Sequence, residues 1–313
     1  MREYDCTIVG DILWDVVVRT EYAQLTYGGT HYSSFAGIFP GGMGNVATAL
    51  AYLGGRGGII GKVGKDWRGR LYLEDLERNN ISACVSYDNY LPTGLVVVFV
   101  DEKDERSFLV SRGASDNLLP EEMERAGLIN NSSYLFVSGL SLVNSLQHQV
   151  ILKAAEIARR NEVRIILDPG AHNLIVSQAK AFTELLGLSD ILCTNLDEAK
   201  AITGMAEVEE IISQLRSRFQ LMALKLGSES CILADNRKVI KLAEHKVKCV
   251  DTTGAGDAFA AVLIYGLSQG SSLEKTGKLA NWFAAQVVKG YGARNLPTKA
   301  HIRRFLTGEL TSG

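Results

Sequence analysis

The sequence of 313 residues contains no C-x-x-C spacing, and its five cysteines (Cys6, Cys84, Cys193, Cys231 and Cys249) are odd in number and scattered. A disulfide framework and a zinc site are therefore not suggested, and a reducing compartment is expected. A surplus of positive charge is also missing, since 33 Lys and Arg stand against 35 Asp and Glu. Nothing here is built to grip a nucleic-acid backbone. No stretch offers the uninterrupted apolar run that a membrane span needs, and the opening "MREYDCTIVGDILWD" enters a strand-like run with acids inside it rather than a targeting segment. A cytoplasmic protein with no membrane partner is the expectation. Low-complexity segments, linker-like stretches and internal repeats are absent as well. What remains, 46% hydrophobic and 22% charged, fits one large α/β domain over 1–313 with an added lid.

Short apolar runs alternate with longer amphipathic stretches, the pattern of strands and helices in a mostly parallel sheet. The clearest runs are "CTIVG", "RGGIIGKVG", "YLFVSG", "VRIILDPG", "DILCTN" and "LMALKLG". Most end at Gly, Ser, Asp or Asn where a helical pattern begins, and in open α/β sheets ligands bind beyond those carboxyl ends. Residues 15–40 and 93–112 break the alternation with a period of two, and the second turns at an acidic "DEKDE" tip. They predict a small β-rich lid over the cleft.

Two glycine-rich stretches stand out. In "DTTGAGDAFAAVLIYGL", Gly254, Ala255 and Gly256 precede a helical pattern carried by Phe259, Val262, Leu263 and Leu267. Free N–H groups and the positive end of the helix dipole make such a mouth an anion site. Asp257 beside it would repel phosphate unless it takes a proton from an attacking hydroxyl. A plain helix cap explains the same residues, and at this point both accounts stand. In "PGGMGNVATALAYLGG" glycines again open an Ala-rich helix, with Asn45 in its first turn. Gly42, Gly44 and Ala47 also satisfy G-x-G-x-x-A, with Asp66 at roughly the dinucleotide distance, but Pro40 and a polar, aromatic segment stand where a buried strand should be. A Walker A loop is absent.

Together "GGMGN" and "DTTGAGD" resemble the two signatures of the ribokinase-like (PfkB) carbohydrate kinase family. "GDILWD", "GKVGKDWRG", "PTGLVVVFVDEKDERSFLV", "TNLDEAKAITG", "LKLGSES" and "ANWFAAQVVKGYGA" resemble further segments of that family in order, over nearly the whole chain. The resemblance implies a three-layer α/β/α fold with a β lid, and transfer of the ATP γ-phosphate to a hydroxyl of a sugar, sugar derivative or nucleoside. It implies Asp257 as base and the Gly254, Ala255 and Gly256 N–H groups as an anion hole. It further implies Mg²⁺ held near Asn195 and Glu198, nucleotide contacts from Lys225, Gly227, Ser228 and Asn281, and a monovalent-cation site, K⁺ for instance, at Asp251. Asn195 and Glu198 also read as a capping box, Lys225 as a solvated strand-end lysine, and Asn281 as an internal hydrogen-bonding group.

For the acceptor, Asp15 and Asn45 with the Gly41–Gly42 backbone are the candidates, Asp15 being favoured over Asp11 because it matches the family's acid. Trp14 points to the other strand face and is expected to pack the lid. The aromatics Tyr27, Tyr32, Phe35 and Phe39 could close over a nucleoside base, pack lid strands, or meet a second subunit; a homodimer through the lid is the family expectation. Two departures remain. "GGMGN" has two residues between Gly42 and Asn45 where ribokinase has three, closer to the heptose-phosphate kinases, and Ser230 stands where the nucleotide loop often has Gly.

Overall fold

The computed structural model describes residues 2–20, 26, 28–102, 106–227, 230–243 and 245–309. The chain runs β1 (Tyr4–Val9), β2 (Ile12–Thr20), β3 (Ser33–Gly42), α1 (Gly44–Tyr52), β4 (Gly57–Gly64), α2 (Trp67–Arg78), β5 (Ser82–Asp88), β6 (Thr93–Val100) and β7 (Arg106–Gly113). It continues with α3 (Pro120–Arg125), β8 (Ser132–Ser138), α4 (Ser145–Arg160), β9 (Arg164–Asp168), α5 (His172–Ser177), α6 (Ala179–Leu188), β10 (Ile191–Asn195), α7 (Leu196–Thr203) and α8 (Val208–Arg218). The last third supplies β11 (Leu221–Lys225), β12 (Ser230–Asp235), β13 (Val239–Ala243), α9 (Ala255–Ser268), α10 (Leu273–Val287) and α11 (Lys299–Leu306).

The larger sheet has the order β13-β12-β11-β10-β9-β8-β1-β4-β5, parallel from β11 to β5, with β12 and β13 antiparallel at one edge. Successive side chains leave a strand on opposite faces, and the apolar runs serve both. Tyr134 and Phe136 of β8 join one core with α1, α2, α9, α10 and α11, while Leu135 and Val137 join the other with α3 to α8. That double burial explains why these runs read as continuous rather than alternating. The expected three-layer arrangement is the one adopted.

The smaller sheet, β3-β2-β6-β7, is assembled from two insertions, β2–β3 between β1 and α1 and β6–β7 between β5 and α3. Gly42, at φ 65, turns the chain back so that the Met43 N–H donates to the Asp11 carbonyl at 2.8 Å. Both ends of the first lid hairpin are thereby pinned at the carboxyl edge of β1. The first lid hairpin begins at Ile12 and ends at Gly42, slightly wider than the 15–40 expected, and the second matches 93–112 to within a residue. The tip at 103–105 and Tyr27 lie outside the described residues. Trp14 packs as expected: its Nε1 donates to the Arg68 carbonyl at 3.0 Å and its ring meets Tyr72 edge-on. No helix among the described residues is long and apolar enough to cross a membrane.

Candidate active site

Gly254 occupies the left-handed region at φ 79, and a Cβ there would come within 2.4 Å of the Ala293 Cβ, so both the turn and its packing require glycine. No side chain caps α9, which leaves its N-terminal end facing the cleft. The Ala255 N–H leans back to the Thr252 carbonyl at 3.3 Å, a long bond within the turn. Asp257, half-buried in the first turn, accepts a hydrogen bond from Asn45 Nδ2 at 3.1 Å. The two glycine-rich signatures thus meet, although 212 positions separate these residues. Burial pushes the Asp257 carboxyl up to about 6; the Asn45 bond, Lys225 and Arg294 hold it down, while Asp168 raises it.

Asn45 is itself oriented from behind. Its Oδ1 accepts from Arg294 Nε at 3.1 Å, which assigns its amide and turns Nδ2 toward Asp257. Arg294 is held by Asp75 and by Tyr72, whose hydroxyl is 3.1 Å from Nη2 and donates to the Gly41 carbonyl at 2.5 Å. Above Gly41 lies Asp15: a Cβ on this glycine would fall 2.4 Å from the Asp15 carboxylate. Burial, and then the Asp257 carboxylate, push Asp15 up to about 7 despite the opposing pull of Arg294. Asp11, the rival acid, forms a buried two-pronged ion pair with Arg112, at 2.5 and 2.6 Å, and so braces the lid base.

Lys225 ends β11 and pairs with Asp168 at 2.8 Å. Burial opposes its charge, but Asp168, Cys193 and Glu198 together outweigh that and hold it protonated above the usual lysine range. Its Nζ lies 3.6 Å from where a Cβ on Gly256 would sit, so the ammonium stands at the mouth of α9. Asn195 and Glu198 form a complete capping box on α7: Asn195 Oδ1 accepts from the Glu198 N–H, and Glu198 accepts from the Asn195 N–H, each at 2.9 Å. Glu198 is buried, and burial followed by the nearby Asp168 pushes its carboxyl up. Gly227, at φ 67, opens the loop that follows, whereas Ser228 lies outside the described residues.

Asn281 donates to the carbonyls of Ala243 at 3.0 Å and Leu242 at 3.4 Å, tying α10 to β13 as an internal hydrogen-bonding group does. Asp251 is buried and accepts from the Thr253 N–H and hydroxyl and from the Gly292 N–H. Among the described residues no three His, Cys, Asp or Glu side chains gather as a metal cage. Asp66, the acid of the dinucleotide pattern, caps α2 through the Gly69 N–H and accepts from Thr93. Its glycines follow the lid strand β3, which removes that alternative. A concavity of about 400 Å³ beside Gly54–Gly57 and Asn79–Asn80 contains none of the candidate residues.

Asp15, Asn45, Asp257 and Lys225 therefore converge at one cleft. Sequence reasoning missed Asp168 and the Arg294–Tyr72–Asp75 group. Asp168 had a signal, since it closes the run "VRIILDPG" as other strand ends do; Arg294 had none.

Residues 4–300 match the pfkB family of carbohydrate kinases. An uncharacterized sugar kinase of Archaeoglobus fulgidus is 30% identical over 259 residues, 78% of this chain and 96% of its own. Other matches include ribokinases and fructokinases. The crystal structure of adenosine kinase from Sinorhizobium meliloti superposes with a TM-score of 0.89 at 26% identity, over 97% of this chain and 99% of that one. An E. coli protein described as ribokinase II, solved with ATP and Mg²⁺, has the same fold, with a TM-score of 0.84 at 20% identity over 97% and 99% of the two chains.

Proposed function

The chain belongs to the pfkB family of carbohydrate kinases, and from that premise we propose that Asp257 is the base that deprotonates a hydroxyl of a sugar, sugar derivative or nucleoside as it attacks ATP. The observation that carries this is the Asn45–Asp257 hydrogen bond, because it sets the candidate base against the acceptor residues at the open end of α9. The hydroxyl O–H bond breaks as its proton passes to the Asp257 carboxylate. The freed oxygen bonds to the γ-phosphorus while the bond to the β-phosphate oxygen breaks, and ADP departs. N–H groups at the mouth of α9 and the Lys225 ammonium face the charge that develops on the transferred group. Asp15 and Asn45 hold the acceptor, and closure of the lid excludes water.

Asp168 and Glu198 face a single lysine, and this surplus of negative charge suits Mg²⁺, which prefers one or two carboxylates plus waters to a protein cage. Asn195 and Glu198, with Asp168, would hold it through water. Held there, Mg²⁺ would supply positive charge against the phosphates and so ease departure of ADP. Gly227 and Ser228 belong to the proposed nucleotide loop, and Asn281 to the adenine end. K⁺ near Asp251 is part of the same proposal, and equal rates in sodium and potassium would remove it. The outer lid face carries exposed Ile38 and Leu109 and supports pairing of two lids in a homodimer; a monomer by light scattering at micromolar concentration would refute that.

The deciding experiment is ADP release from Mg-ATP across neutral sugars, sugar acids, sugar phosphates and nucleosides, each beside Asp257→Asn. Turnover that collapses in the variant supports the proposal. ATP binding without turnover by any acceptor would instead favour a non-catalytic nucleotide-binding regulator.

A further inference from the structure

Residues paired across a sheet share a face, so the register of the lid states what surrounds Asp15. One row reads Phe39, Asp15, Val96, Val110, and the next Gly37, Val17, Val98, Phe108. Asp15 is the lone polar side chain in these two rows. On the β3 side the face is closed, because Phe35 stacks on Tyr291 at 3.9 Å and the Phe39 ring lies against Gly292. On the β7 side it is open: Val110 is 52% and Phe108 55% exposed. Across from them, at the carboxyl end of β8, Leu140 is 38% exposed, and its carbonyl accepts from Arg112, on β7 two residues beyond Val110, at 2.9 Å.

An apolar slot thus begins beside the Asp15 carboxylate. Among the described residues the cations at the Asp15 end are already matched, Arg112 being paired with Asp11 and Asp116 and Arg294 with Asp75, whereas Arg106 stands at the far end, its guanidinium carbon 5.6 Å from the centre of the Phe108 ring. A phosphate or carboxylate held at the Asp15 end would meet Asp15 and Asp257 with no unmatched cation beside it among the described residues, which opposes its binding there. A bare sugar would satisfy Asp15 and Asn45 but leave Val110, Phe108 and Leu140 wet. A pocket with polar groups at one end and apolar walls at the other fits a ligand of the same division.

Resting on the kinase reading, we propose that the acceptor is an uncharged nucleoside whose ribose hydroxyls meet Asp15 and Asn45 and whose base lies in the slot formed by Val96, Val110, Phe108 and Leu140. With saturating Mg-ATP, inosine or cytidine should give a kcat/KM at least a hundredfold above that of ribose, while 2-keto-3-deoxygluconate and fructose 6-phosphate give none. Val110→Glu and Leu140→Glu, both at exposed positions, should raise the nucleoside KM tenfold or more. A free sugar equal to or better than the nucleosides, or a preferred anionic acceptor, overturns the slot and leaves the kinase intact. Calorimetric titration of Asp257→Asn with inosine and cytidine, in the presence of Mg-ATP, separates the two ideas. Nucleoside binding weakened by Val110→Glu, without turnover in the wild type, keeps the slot and overturns the kinase; no nucleoside binding overturns the slot.

Discussion

Asp15→Asn should make the ligand-free protein more stable, by an amount that grows with pH. The Asp15 carboxyl has an ordinary value of 3.8 and stands at about 7 in the fold, chiefly because it is buried and next because Asp257 faces it. Between those values the folded state holds a proton that the unfolded chain has released, so stability falls as pH rises through this window and the loss is complete above about pH 7. At about 1.4 kcal/mol per pKa unit, the charge costs about 4 kcal/mol at pH 8 and about 1.6 kcal/mol at pH 5. Asparagine has the same shape and escapes both. Taking an unfolding entropy of roughly 2 cal/mol/K per residue, the gain in Tm is about 6 °C at pH 8 and about 3 °C at pH 5. Scanning calorimetry of the two proteins at both pH values measures it. Part of the shift belongs to the Asp15–Asp257 pair, so Asp257→Asn in the same chain should shrink the effect of Asp15→Asn. An equal gain at both pH values, or a wild type that stays more stable at pH 8, would refute the reasoning. On the proposed function the same variant should also lose acceptor affinity, since acceptor hydroxyls donating to Asp15 would relieve that stored cost.

Three further outcomes are expected. Asp257→Asn should lower kcat by about 10² to 10⁴, the usual worth of a general base, and the wild-type rate should fall as pH drops through about 6, where the carboxyl protonates; a flat profile from pH 5 to 8 would remove Asp257 as base. Arg294→Met should move that acid limb to higher pH, because Arg294 holds Asp257 and Asp15 down and its loss frees Asn45 to rotate; a limb that stays put with kcat reduced would make Arg294 a packing group alone. Lys225→Met should strand Asp168 without its partner and cost about 3 kcal/mol in denaturant unfolding, the low end for a broken buried pair, and adding Asp168→Asn should recover part of the loss.

How much of this could be seen in the sequence follows from the range over which each residue acts. Gly254 and Asp257 were legible because a glycine turn before an apolar helical pattern is a local signal, and the uncapped α9 shows it. Asp15 was separable from Asp11 only by resemblance; the physical reason is Arg112, 101 positions away, which claims Asp11. Arg294 was invisible for the same cause, since its partners Asn45 and Asp75 lie 249 and 219 positions back and no periodicity marks a side chain whose role is to aim another. The lid was placed to within three residues, yet its pairing, which puts Phe39, Val96 and Val110 in one row with Asp15, depends on register that a single strand does not reveal.

The electrostatic logic of the cleft unites what was legible with what was not. Asp15, Asp257 and Glu198 are all pushed up by burial, and the cations that oppose this, Lys225 and Arg294, are few and already paired. A fold selected for stability alone would dilute these acids. In the proposed mechanism each would be relieved by a different incoming group: Asp15 by acceptor hydroxyls, Glu198 by a divalent cation, Asp257 by the proton it takes. If that is why the acids are retained, binding of acceptor together with Mg-ATP should flatten the fall in stability with rising pH seen in the ligand-free protein. A structural role for the same carboxylates predicts no such flattening.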